Sequence, residues 1–71
     1  MIQYRMTGAE LKRLRKKLGL TLAMASTQVE VSVSTWCRWE NAVEVPAGGL
    51  KLFLLVNAER MARYGYTEEG L

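Results

Sequence analysis

The sequence has no histidine, one cysteine and one proline. Without histidine the commonest general base and the commonest zinc ligand are both missing, and a lone cysteine can neither close an intramolecular disulfide nor supply a thiolate zinc set. No Ser, Cys or Lys has an activating neighbour in sequence, so an enzyme is not expected, and neither a metal nor a cofactor is implied. Long apolar runs are missing too: the longest, Leu52 to Val56, is far below the ~20 residues that a membrane span requires. The N-terminal residues contain no signal-peptide apolar region, and with so little cysteine the expected compartment is a reducing cytoplasm. No repeat, low-complexity tract or linker divides the chain.

What remains is a chain of 71 residues, 49% of them hydrophobic, with ten Lys and Arg against seven Asp and Glu. A chain this short buries only ~60% of its unfolded surface and cannot support two independent cores, so residues 1–71 are read as one folded domain. The positive charge is unevenly placed. Lys12, Arg13, Arg15, Lys16 and Lys17 fall in one six-residue stretch, which suggests a footprint for phosphate, although a charge run taken alone also reads as the solvated face of a helix.

Cap and stop residues predict four or five helices and an all-α fold. Thr7 followed by Glu10 makes a capping box, Met6 and Leu11 flank it as a hydrophobic staple, and Gly19 supplies a left-handed stop. The first helix is therefore expected over about residues 8–18, with Leu11, Leu14 and Leu18 in one buried stripe. Thr21 can cap a second helix over about 22–29, with Ala25 and Val29 inward, and Ser32 a third from Val33 to about Asn41. Pro46 closes a connecting loop, and Gly48 and Gly49 leave open whether the fourth helix starts at the proline or near Leu50. From Leu50 to about Tyr64 the pattern is helical again, and Gly65 with the acidic Glu68 and Glu69 is expected to end the ordered part.

Two short helices joined by three or four residues, the second capped and amphipathic, form the unit that lays a helix in the DNA major groove. On a helix turning about 100° per residue, Trp36 and Trp39 point one way while Val33, Ser34, Cys37, Arg38 and Asn41 point the other. The second set is short-chained apart from one long cation. Arginine donates bidentately to guanine, and an apolar group such as Val33 can touch a thymine methyl; an ordinary exposed helix surface is the plainer alternative. Cys37 reads as a filler on this face rather than a redox sensor, since nothing in the sequence marks a favoured thiolate. Arg15 sits beside Leu14 on a face that should be buried and so needs an acidic partner, for which Glu40, next to Trp39, is the best candidate.

From Thr7 to about Asn57 the sequence resembles the Cro and phage-repressor (XRE-type) family of helix-turn-helix regulators. The resemblance rests on L-R-K-K-L-G-L-T at Leu14 to Thr21, on V-S-V-S-T-W-C-R-W-E-N at Val31 to Asn41, and on Pro46. It implies a compact lambda-repressor-like domain of four or five helices with its helix-turn-helix over about 21–41. It further implies a transcriptional regulator, expected to be a repressor, that binds a double-stranded operator. By position, Val33, Ser34 and Arg38 would read bases with Cys37 close by. Thr21 and Asn41 would face phosphates, and Lys16, Lys17, Ser32 and Thr35 complete the expected phosphate-contacting set. The Arg15 and Glu40 pair falls where that family has an internal salt bridge. The sequence departs from the family pattern at Leu22, where glutamine is usual, and at Glu30 and Ala42, where glycine is usual. The W-C-R-W string and the small size look like regulators of phages and mobile elements, including anti-CRISPR-associated repressors.

The run Leu50 to Val56 is apolar on nearly every side of a helix, more than a small core is expected to cover, although a large share of a tiny core is the plainer alternative. Residues 50–66 are therefore expected to dimerise, through Leu50, Phe53, Leu54, Met61 and Tyr64, with Ala62 and Tyr66 extending the contact. A two-fold homodimer would read two half-sites of a pseudo-palindrome. The alternatives are an antitoxin whose C-terminal segment grips a toxin, and a helical protein-interaction module without DNA binding. No small-molecule effector is suggested.

Overall fold

The computed structural model of the chain describes residues 5–65; Tyr66, Glu68 and Glu69 lie outside them. Five helices follow in order: α1 (Gly8–Lys17), α2 (Leu22–Gln28), α3 (Val33–Glu40), α4 (Ala47–Val56) and α5 (Ala58–Arg63). The fold is all-helical, with no strand among the described residues, and none of its helices is long and apolar enough to cross a membrane.

Local chemistry accounts for the first three helices. The Thr7 hydroxyl accepts from the Glu10 amide at 3.1 Å, and Glu10 accepts from the Thr7 amide at 2.9 Å, which closes the capping box. Thr21 and Ser32 cap α2 and α3 in the same way, accepting from the amides of Met24 and Thr35. Leu18 caps the end of α1, and Gly19 takes φ 75° beyond it. The link between α2 and α3 turns at Glu30, whose φ of 57° is left-handed backbone that side-chained residues enter at a cost.

The helices pack around Trp36, Phe53, Leu11 and Ala25, all without exposed surface, and around Leu50 at 1%. Helix α3 lies against α1 and α2, and α2 against α4. The Trp36 ring stands 5.0 Å from that of Phe53 and 5.6 Å from that of Trp39, in tilted pairs. The start of α1 meets the end of α3 so closely that a methyl added at Gly8 would stand 2.5 Å from the carbonyl oxygens of Trp39 and Glu40. The Gly8 amide also donates to Ala42.

Helix α4 begins directly after Pro46, which takes the N-cap position, one of the two starts left open by the sequence. The C-terminal part departs from expectation in two ways. The helical run to Tyr64 is broken at Asn57. Asn57 is 1% exposed, and its side-chain amide donates to the Phe53 carbonyl and to Gln28 Oε1, each at 2.8 Å. The Phe53 carbonyl accepts from the Asn57 backbone amide as well, at 3.1 Å, and a side chain that bonds back to the carbonyl four residues earlier tends to bend a helix. The second departure corrects the expected dimer surface. Leu50, Phe53, Leu54 and Met61 are at most 4% exposed because they fill this chain's own core, so they have no surface to offer a second copy. Of that expected set only Tyr64 is exposed, while Leu52, Leu55 and Val56 of α4 stand outward in their place.

Two predictions follow from the helix ends. Replacing Glu30 by glycine removes the left-handed cost of about 1–2 kcal/mol and restores about 0.5–1 kcal/mol of unfolded-chain entropy; the variant is expected to melt a few degrees higher, and a lower melting temperature would contradict the strain. The Thr7 amide, then its hydroxyl, hold the Glu10 carboxyl below its ordinary value of 4.5. A lowered folded value contributes stability that is full above 4.5 and is lost as pH falls through the folded value. Thermal melts from pH 7 down to pH 3 should therefore show a steeper acid loss for the parent than for Glu10→Gln.

Candidate nucleic-acid interface

Helix α3 is fixed from the inside. Glu40 Oε2 accepts from Arg15 Nε at 2.6 Å and from Trp36 Nε1 at 2.5 Å, and Glu40 Oε1 accepts from Arg15 Nη2 at 3.3 Å. The remaining arm of the guanidinium, Nη1, donates to the Leu20 carbonyl at 2.9 Å. The Arg15 and Glu40 side chains are only 9% and 7% exposed, so this is an interior ion pair with its geometry satisfied. It joins α1, the link before α2, and α3.

With Trp36 held inward, the opposite side of α3 faces solvent. Val33 is 43% exposed, Ser34 and Arg38 are exposed, and Cys37 is half-buried. The Arg38 guanidinium makes no hydrogen bond or ion pair with a described residue, so its donors are available to an outside acceptor. Trp39 is half-buried and lies over Gly49 in the first turn of α4.

Beside this face runs a cleft of about 310 Å³ between α1, the start of α2 and the end of α3. Lys12, Lys16, Leu22, Cys37 and Asn41 line it, with the Arg15–Glu40 pair behind them. Lys12 and Lys16 are one turn apart on α1 and present their ammonium groups on one side of the helix. Leu22, at the position where the resemblance has glutamine, packs against the core and forms an apolar wall of the cleft.

Of the expected phosphate-contacting residues, Lys16 and Asn41 line this cleft and the others do not, and their side chains are in different states. Thr21 is exposed, and its hydroxyl accepts from Met24 and keeps its proton for an outside acceptor. Ser32 is more committed, since it accepts from the Thr35 amide and donates to the Thr35 hydroxyl at 3.0 Å. Asn41 is exposed and donates one amide hydrogen to the Cys37 carbonyl at 2.8 Å, leaving the other. Lys16 lines the cleft and Lys17, also exposed, does not. Lys12 was not in the expected set. Its signal in the sequence is its place four residues before Lys16, which puts it on the same side of α1.

A family model described as "Helix-turn-helix domain" matches residues 7–54, two thirds of the chain. The chain belongs to the helix-turn-helix domain family. The matched span of this helix-turn-helix protein covers α1 to α3 and most of α4, and so takes in the interior ion pair, the outer face of α3 and the cleft. No curated protein and no solved structure gives a significant match.

The interior ion pair makes a direct prediction. Removing one partner of a buried pair strands the other charge, so Arg15→Leu and Glu40→Leu are each expected to cost about 3–5 kcal/mol of unfolding free energy, while the double variant costs less than the two together. Additive losses in urea titrations would mean that the two side chains do not act as a pair.

Proposed function

We propose that the protein is a sequence-specific DNA-binding regulator, a repressor, that lays α3 in the major groove of a pseudo-palindromic operator and acts as two copies, one per half-site. The observation that carries this reading is the uncommitted outer face of α3, Val33, Ser34 and Arg38, on a helix whose other side is pinned by Trp36. Short side chains let the helix approach base edges. Arg38 then donates to guanine O6 and N7, Val33 meets a thymine methyl, Ser34 reads either base type, and Cys37 fills the edge of the contact.

Around the groove-bound helix the phosphates are met by Lys12 and Lys16 across the cleft, by Lys17 at the end of α1, and by Thr21, Ser32, Thr35 and Asn41 at the helix ends. These contacts orient the domain and carry no base information. Two copies related by a two-fold axis would read half-sites about 34–36 Å apart.

Selection of sites from random duplexes, followed by titration of the selected duplex, tests the reading. Arg38→Ala is expected to cost about 1–3 kcal/mol and to relax preference at one base position per half-site, whereas Lys16→Ala weakens binding to all duplexes and lowers the salt slope by about 1. If Arg38→Ala holds the selected site as tightly as the parent, the readout assignment fails. Absence of any selected site, or of the log-linear fall of affinity with salt that phosphate neutralisation produces, would favour a protein-interaction module.

A further inference from the structure

The cleft between α1, the start of α2 and the end of α3 holds more than a phosphodiester backbone uses. Its volume of about 310 Å³ reaches the lower end of the ~300–1,000 Å³ that small-molecule sites occupy. Glu40, the one carboxylate that lines it, is already paired with Arg15. Lys12 and Lys16 make no hydrogen bond or ion pair with a described residue, and Asn41 keeps one amide hydrogen unused. Leu22 and Cys37, both half-buried, give the cleft an apolar portion.

These groups set the chemistry of an occupant. Like charges four residues apart destabilise a helix, so an anion shared by the two ammonium groups relieves their repulsion. A phosphodiester brings one negative charge to them. A phosphate monoester brings about −1.5 to −2 near pH 7, which matches two lysines. The ammonium groups act on it as point charges, and the Asn41 amide adds a directed donor. Leu22 gives nothing to the phosphate itself. It offers apolar surface to a substituent that the phosphate carries, and such a substituent gains by leaving water.

We infer that this cleft is a binding site for a small phosphate monoester with an apolar or aromatic body, its phosphate between Lys12, Lys16 and Asn41 and its body on Leu22 and Cys37. The sequence alone suggested no such effector. The regulatory consequence rests on the DNA-binding reading: the ligand takes two cations that would otherwise meet the duplex backbone, and so releases the protein from DNA. Linkage makes the effect mutual, since the duplex weakens the ligand by the factor by which the ligand weakens the duplex.

Cys37 is the chain's single cysteine and lines the cleft, so its alkylation by iodoacetamide reports occupancy without DNA. The full chain is titrated at constant ionic strength with phenyl phosphate, with inorganic phosphate, which has no apolar body, and with methyl phenyl phosphate, which has a single charge. Phenyl phosphate is expected to slow alkylation saturably and at the lowest concentration of the three. Lys12→Gln and Lys16→Gln, checked for folding by thermal melts, should lose that protection, measured as the ratio of rates without and with ligand. Leu22→Ala should bring phenyl phosphate down to the level of inorganic phosphate. At saturation, phenyl phosphate should weaken binding of the selected duplex about 5- to 150-fold, the usual range of coupling between sites. Absence of protection, equal protection by the diester, full protection in both lysine variants, or an unchanged preference for phenyl phosphate in Leu22→Ala overturns the site. Protection with unchanged duplex affinity overturns the regulatory consequence alone. Protection in a chain that selects no duplex overturns the DNA-binding reading and leaves the site standing.

Discussion

The structure depends on where one guanidinium goes. Arg15 leaves α1 on its buried side, where a cation without partners would not be tolerated, and reaches Glu40 with two of its nitrogens and the Leu20 carbonyl with a third. Glu40 in turn accepts from the Trp36 indole. These contacts tie together α1, the link before α2 and α3, with the Trp36 indole and the Glu40 carboxylate one turn apart on α3. The desolvation of two charges offsets much of the attraction between them. What the arrangement supplies is therefore mainly position: the depth and rotation of α3 relative to α1 are those that leave neither buried charge unpaired.

Because α3 is held in this way, its two sides can serve different ends. The inner side is used up by Trp36, in contact with Phe53 and Trp39. The outer side needs no stabilising role and carries small residues with one uncommitted arginine. The same ion pair forms the back of the cleft that Lys12 and Lys16 share with Asn41. Pairing Arg15 internally leaves these two lysines as the cations of α1 that line the cleft toward solvent, next to the outer face of α3. Structural and surface charge are thus separated within a single helix turn.

How much of this was legible depended on how local its cause was. The starts of α1, α2 and α3 are written in Thr7, Thr21 and Ser32, whose hydroxyls bond amides three residues away. The ion pair could be sought because a cation on an apolar stripe is exceptional, and Trp36 could be placed inward from its spacing with Trp39. The break at Asn57 could not be read, because its partner Gln28 is 29 residues distant in sequence and is met only after folding. The inner side of α4 was ambiguous for a different reason. Leu50, Leu52, Phe53, Leu54, Leu55 and Val56 are all apolar, so the helix has no hydrophobic phase of its own and its neighbours decide which residues are buried. The plainer alternative holds for Leu50, Phe53, Leu54 and Met61, because a small core with a large Trp36 ring needs that apolar surface for itself.

That competition for apolar side chains bears on assembly. A domain of this length has little surplus after its core is filled, and here the core takes both inward rows of α4 and the best apolar residue of α5, Met61. On α4 only Leu52, Leu55 and Val56 are left outside that core. The core therefore has first claim on the apolar side chains of the C-terminal helices, and the surface keeps what the packing of Trp36 and Phe53 does not use.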